Sequence, residues 1–202
     1  MRILHVGATG TIGSAVAAAL AARKHEVVRV GRSDGDLRVD LADPASIEAL
    51  YGASGPVDAV VCTAGVARFG PLEKLTDEDF GSSLANKLMG QVNLIRRGLG
   101  TVREGGSFTL TSGTLSAEPE EATSAVAMAG AAVEAFARAA AIDLAGRWRV
   151  NVVSPAAVAD SRVARGLDPM PGIWAKDLAR YYVALVEGDR TGELVTAEKP
   201  MA

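Results

Sequence analysis

Between an apolar run near the N-terminus and an alanine-rich stretch, the chain reads Gly7-Ala8-Thr9-Gly10-Thr11-Ile12-Gly13. Residues 3–7 read as a strand and 11–23 as a helix, so these glycines occupy a strand-to-helix turn. The spacing has a physical logic. One glycine permits the tight turn, another lets backbone N–H groups approach an anion, and the last lets the helix pack close to the strand. The positive end of the helix dipole and its unpaired N–H groups then face the same anion. The expected ligand is the pyrophosphate of a dinucleotide, held by Gly7, Thr9, Gly10, Thr11, Ile12 and Gly13.

The rest of the chain continues the rhythm that the turn begins. Short β-branched runs at 3–7, 26–30, 36–39, 58–63, 107–111, 149–153 and 193–196 alternate with helical stretches at 11–23, 44–51, 76–98, 122–145 and 175–187. That alternation predicts parallel βαβ units, and the central runs are almost continuously apolar, as strands covered on both faces must be. The expected fold is α/β, a Rossmann fold with a doubly wound, seven-stranded parallel sheet in three α/β/α layers. Residues 1–202 form a single domain on this reading, since 202 residues suit one core better than two. A break near Gly81 is expected in the helix at 76–98. The stretch 156–172, with Pro155, Pro169 and Pro171, reads as a long loop at the carboxyl edge of the sheet, where loops cover ligands.

Charge and cysteine content narrow the function classes. The net charge is −3 and the basic residues are scattered, so nothing resembles the one-sided positive field that nucleic acid requires. No uninterrupted apolar run approaches about 18 residues and no secretory h-region precedes the glycine turn, so a soluble cytoplasmic protein away from membranes is expected. The lone Cys62 reads as a small core residue, and no metal site is expected. His5 reads as a satisfied core histidine and His25 as a turn residue.

Cofactor choice is read at the end of the second strand, where an acidic residue would accept the adenine ribose hydroxyls of NAD. This chain has Val28-Arg-Val-Gly31-Arg32-Ser33 instead. Arg32 and Ser33 offer a guanidinium fork and a hydroxyl to a 2′-phosphate, which favours NADP over NAD. Asp34 and Asp36 stand close enough to fold back on Arg32.

At this point the chain resembles the short-chain dehydrogenase/reductase family over essentially its whole length. Asp40-Leu41 is similar to the family's adenine-contacting pair, Thr63-Ala64-Gly65 to its Asn-Ala-Gly turn, and Arg149-Val-Asn-Val-Val-Ser-Pro155 to the block after its long helix. The resemblance adds Asp40, Leu41, Thr63, Ala64, Gly65 and Pro155 to the cofactor site. It is closest to a short, one-domain subgroup lacking the usual Tyr-x-x-x-Lys. Ser112, in Thr109-Leu-Thr-Ser112-Gly, matches the family's catalytic serine. Gly130-Ala-Ala-Val-Glu-Ala aligns with the block that begins at its lysine, which puts Val126 at the tyrosine and Gly130 at the lysine. Lys87, in Lys87-Leu-Met-Gly90, falls at the family's asparagine.

Two readings of each remaining candidate are open. Ser112 either orients a substrate oxygen or caps the turn that follows it. Lys87 either reaches the nicotinamide ribose or substrate, or snorkels over apolar neighbours. Glu118, Glu120 and Glu121 supply an acid or a partner for Lys87, or are solvated. The function implied is an NADP(H)-dependent oxidoreductase acting on a small carbonyl or alcohol through Ser112 and Lys87. The alternative is an inactive dinucleotide-binding sensor or interaction protein. A nucleotide-sugar epimerase would need the missing Tyr-x-x-x-Lys and a larger substrate domain. The resemblance also implies a homodimer or homotetramer built on the helices at 76–98 and 122–145, with Ala125, Ala129 and Ala132 allowing close approach.

Overall fold

The computed structural model describes residues 1–170 and 172–197; Pro171, expected in the loop over the sheet edge, lies outside them. The strands are β1 (Arg2–Val6), β2 (Glu26–Gly31), β3 (Leu37–Arg38), β4 (Val57–Cys62), β5 (Val102–Thr111), β6 (Arg149–Pro155) and β7 (Leu194–Ala197). They form one sheet in the order β3-β2-β1-β4-β5-β6-β7, with every pair parallel. The order reverses between β1 and β4, and ligands of doubly wound sheets bind at the carboxyl edge of such a switch point.

Successive strand residues point to opposite faces, so each strand feeds two cores. Leu4 and Val6 of β1 join Tyr51, Leu94, Phe108 and Val133 beneath α2 (Pro44–Ser54), α4 (Gly90–Gly98) and α5 (Ser124–Asp143). Ile3 joins Val16, Leu20, Leu178 and Tyr182 beneath α1 (Thr11–Ala22) and α7 (Ala175–Glu187). Each such buried side chain stabilises the fold by about 1.5–3 kcal/mol before conformational entropy is charged against it. Two layers of helices over a parallel sheet are the fold class that the alternation predicted.

Several boundaries move for identifiable reasons. β5 begins at Val102 instead of 107, because its pairing with β4 shifts register between Val57 and Ala59, with Gly105 at φ 82° just beyond. α5 begins at Ser124 instead of 122, since Ala122 takes φ 63° and cannot belong to a helix. The stretch 156–172 holds a short helix, α6 (Ala159–Val163), and an isolated bridge ties Val158 to Ile173. No break occurs at Gly81, which lies inside α3 (Asp77–Ser83), a helix started by a Thr76/Asp79 capping box. The irregularity follows at Leu84–Met89, a π-helical turn between α3 and α4. Such a turn inserts an extra residue into the helical phase, and Lys87 sits within it.

α5 is long and apolar enough to cross a membrane by length and composition, which the uninterrupted-run criterion overlooked. It packs on the sheet through Ala125, Ala129, Val133 and Ala137. The small residues expected to face a second copy therefore mostly face the chain's own core. The outward side carries Met128, Ala131, Ala135 and Ile142.

Candidate functional site

The glycine turn is built at close quarters. Gly7 takes φ 90°, and a Cβ there would lie 2.7 Å from the Ala64 nitrogen. A Cβ on Gly13 would overlap the Gly7 carbonyl and lie 2.8 Å from Thr63 Oγ1. Gly10 caps α1 without a side chain, and no acidic residue occupies the first turn. The leading N–H groups of α1 are thereby left for an outside anion. Thr9 stands beside Gly31 at the end of β2, so close that a Cβ on Gly31 would come 2.8 Å from Thr9 Oγ1. The residues present fit a dinucleotide's pyrophosphate.

Thr63 is held from beneath. Its Oγ1 lies 3.0 Å from His5 Nε2 and 3.4 Å from the Val6 carbonyl, to which it donates. His5 is fully buried, and desolvation first, then the Arg29 charge, lower its pKa to about 3. Its Nδ1 has no hydrogen-bond partner, so the core histidine is only half satisfied. His25 meets Glu187 at 2.9 Å in addition to following a turn.

At the adenosine end, Arg32 is exposed and its guanidinium lies 3.4 Å from the Asp40 carboxylate. Asp34 and Asp36 do not fold back onto it, since they accept from the backbone N–H groups of Gly35 and Arg29. Asp40 is thus the carboxylate that competes with a phosphate for Arg32. Ser33 is exposed beside it. Leu41 is buried in the core and packs so tightly that a Cβ on Gly90 would lie 2.8 Å from its own.

The turn at Thr63-Ala64-Gly65 leads from this cradle into a cleft of about 740 Å³. Gly65, Lys87, Ser112, Val126, Gly130 and Pro155 all line it, so residues from five separate segments converge as the sequence reading required. Ser112 follows β5 directly. Its backbone N–H donates to the Val153 carbonyl, yet its buried Oγ has no hydrogen-bond partner. Gly113, and not Ser112, caps the 3-10 turn Thr114–Ser116, which removes the capping explanation for the hydroxyl.

Lys87 does not snorkel. Its Nζ donates to the carbonyls of Thr111 at 2.9 Å and Ser112 at 3.2 Å, and its stem packs on Gly65. Desolvation lowers its pKa, opposed by the Cys62 sulfur. Burial in turn pushes the Cys62 thiol up to about 11, in keeping with an unreactive core residue. Glu118, Glu120 and Glu121 are all exposed, and of the three Glu120 reaches the cleft wall. Lys87 takes its partners from the backbone instead of from this acidic group.

The sequence reading missed Glu134, which shares the helix face of Val126 and Gly130 by 4-residue steps. It is buried and accepts from Ser116 Oγ at 2.5 Å and Ser154 Oγ at 3.4 Å. A Cβ on Gly130 would lie 3.4 Å from the Ser116 Cβ. The signal was present as a single acid amid alanines. Arg162 and Arg165, also missed, line the cleft from α6 and the turn after it.

The Enoyl-(Acyl carrier protein) reductase family profile matches residues 7–184. A Listeria innocua protein of known structure, lin1944, superposes with a TM-score of 0.92 at 39% identity, covering 98% of this chain and 99% of that one. A small-chain dehydrogenase solved in complex with NADPH has a TM-score of 0.86 at 27% identity, covering 98% and 96%. Among curated proteins, the Escherichia coli 3-oxoacyl-[acyl-carrier-protein] reductase FabG is 30% identical over 86% of this chain and 80% of its own length. The match to 2,3-dihydro-2,3-dihydroxybenzoate dehydrogenase of the same organism, also 30% identical, spans 50% of that enzyme. With its switch-point cradle, its cleft and the family profile matched over residues 7–184, the chain belongs to the short-chain dehydrogenase/reductase family.

Proposed function

We propose that the protein is an NADP(H)-dependent oxidoreductase for a small carbonyl or alcohol, working with a reduced set of catalytic groups. The observation that carries this reading is the buried, partnerless hydroxyl of Ser112 on the cleft wall, reached from the cradle through one short turn. NADP(H), when bound, supplies or accepts the hydride. The cofactor site consists of the first-turn N–H groups of α1 for the pyrophosphate and Arg32 with Ser33 for the 2′-phosphate. The NADPH complex of a relative at 27% identity supports that choice.

Ser112 Oγ donates to the substrate carbonyl oxygen and orients it. The family's tyrosine and lysine are replaced by Val126 and Gly130, which carry no proton to give, so Lys87 supplies the proton to the oxygen. Its ammonium has three donors, of which two are held by backbone carbonyls. Because burial lowers its pKa, it releases a proton more readily than an exposed lysine. Reduction therefore declines as pH rises through that lowered pKa, when the acid form is lost.

NADPH oxidation against a panel of carbonyl compounds tests the reading. Slow turnover is expected, falling at least about tenfold in Ser112→Ala. Full turnover in Ser112→Ala combined with Lys87→Met overturns it. A second reading, a non-catalytic dinucleotide-binding sensor, is favoured by the lack of a titratable side chain at Val126 and Gly130. NADPH binding with no hydride transfer to any carbonyl selects it.

The expected location is the cytoplasm, consistent with the packing of α5 into the core. The expected assembly is a homodimer or homotetramer. Its support is the outward stripe of Met128, Ala131, Ala135 and Ile142 on α5, with Arg138 among them, where Ile142 is 78% exposed. A monomer mass in light scattering at micromolar concentration removes it.

A further inference from the structure

Resting on the reading of the cleft as the substrate site, we propose that the substrate is an organic anion: an apolar carbonyl compound whose carboxylate is received by Arg162 and Arg165. The two arginines stand three residues apart, on α6 and the turn after it, and both line the cleft. Backbone carbonyls hold their stems. Arg162 Nε donates to the Asp168 carbonyl at 2.6 Å and Arg165 Nε to the Ser161 carbonyl at 3.1 Å. That arrangement leaves the outer nitrogens of each guanidinium to a ligand, in the planar fork that matches a carboxylate.

Neighbouring acids do not neutralise them. Asp160 accepts from the Ala175 N–H at 2.7 Å and Asp168 from the Met170 N–H at 2.8 Å. Among the described residues neither arginine forms an ion pair. Along the cleft wall Lys87, Arg162 and Arg165 face a single carboxylate, Glu120. A chain of net charge −3 has thus gathered an excess of positive charge around one concave surface.

Apart from Ser112 and Thr114, the remaining side chains of the wall are apolar. Val66, Phe69, Leu115 and Leu167 line it, and Phe69 is 63% exposed, as a surface that awaits an apolar ligand would be. A cationic end and an apolar side together select an amphipathic anion over a neutral ketone or a sugar.

The experiment is calorimetric binding of matched pairs, 2-oxo carboxylates such as phenylglyoxylate, pyruvate and 2-oxohexanoate with their methyl esters, both with saturating NADP⁺ and without it. Oxidised cofactor cannot reduce a carbonyl, so affinity is read apart from turnover. At least one carboxylate binds about tenfold or more tighter than its ester, and the preference falls below about threefold in Arg162→Gln/Arg165→Gln. Both side chains reach solvent, so this variant keeps the fold. Equal affinities within every pair, failure of every carboxylate to bind, or a preference that survives in the double variant each overturn the proposal. A carboxylate preference that persists while NADP⁺ fails to bind supports the anion site and overturns only the cofactor reading.

Discussion

The turn at residues 7–13 and the helix wall at 126–130 look onto neighbouring stretches of the same sheet edge, and they are built by opposite rules. In the turn, the missing side chains at Gly7 and Gly13 are required: a single added Cβ on Gly13 would overlap the Gly7 carbonyl. On the wall, the missing side chain at Gly130 leaves tolerable space, with the nearest atom 3.4 Å from an added Cβ. The first region is packed to hold one kind of ligand. The second carries no titratable group at 126 or 130, and the polar groups around it are Ser112, Lys87 and Glu134. Binding and chemistry are thus separable here, one geometrically constrained and the other open to rebuilding.

The hardest test of the constrained region is Gly13→Val, which cannot be accommodated without moving the strand-to-helix turn. NADPH affinity should fall at least about thousandfold, equivalent to about 4 kcal/mol. Binding retained within tenfold of the parent would erase the contrast between the two regions.

The support beneath the turn is tested by pH. An unfolded histidine takes up a proton near pH 6.5, whereas His5 in the folded chain resists until about 3. Stability tied to His5 is therefore complete above pH 6.5 and is lost as pH falls through the interval toward 3. By pH 4.5 the loss amounts to about 3 kcal/mol. Denaturant unfolding at pH 7 and 4.5 should show a markedly smaller loss in His5→Gln, and matching losses would discard the argument.

On the open wall, a gain of function is the sharper test. Val126→Tyr with Gly130→Lys sets a phenol and an ammonium one helical turn apart, and Lys87→Asn removes the cation that would repel the new lysine. The triple variant should reduce some carbonyl in the panel at least about tenfold faster than the parent. No gain, in a variant that still binds NADPH, would mean that the wall does not face the reacting atoms.

The smallest effect belongs to the exposed Arg32. With its guanidinium 82% exposed and Asp40 in competition, the preference for NADPH over NADH should be about fivefold, near 1 kcal/mol. Asp40→Asn should raise it, and Arg32→Ala should abolish it.

How legible these regions were follows from how local their causes are. The parallel sheet and the glycine turn could be read because strand period, helix period and glycine spacing are local patterns, whereas the strand order is a long-range property. The π-helical turn at Leu84–Met89 could not, since its residues are ordinary helix formers and its cause is a shift of hydrogen-bond partners along one rod. Ser112 and Lys87 were located by resemblance, but which of two roles each plays depended on partners far along the chain. Arg162 and Arg165 escaped notice even though the loop at 156–172 was expected over a ligand, because the sequence does not reveal which of its side chains reach the cleft.

The Gly7 approach to Ala64 also has a consequence for how the molecule comes into being. β1 must wait for β4 before Ile3 meets Ala59 and the turn gains its second wall. The nucleotide seat is therefore a long-range object, assembled from two segments, β1 and β4, that a ribosome delivers well apart in time. Until β4 emerges, the glycines that make the seat possible are the most loosely ordered part of the nascent chain, since they carry the largest entropic cost of being fixed. A nucleotide that binds the finished seat and not its precursors would draw the N-terminal half toward its native pairing, so cellular cofactor supply would help to set how much of the newly made chain survives.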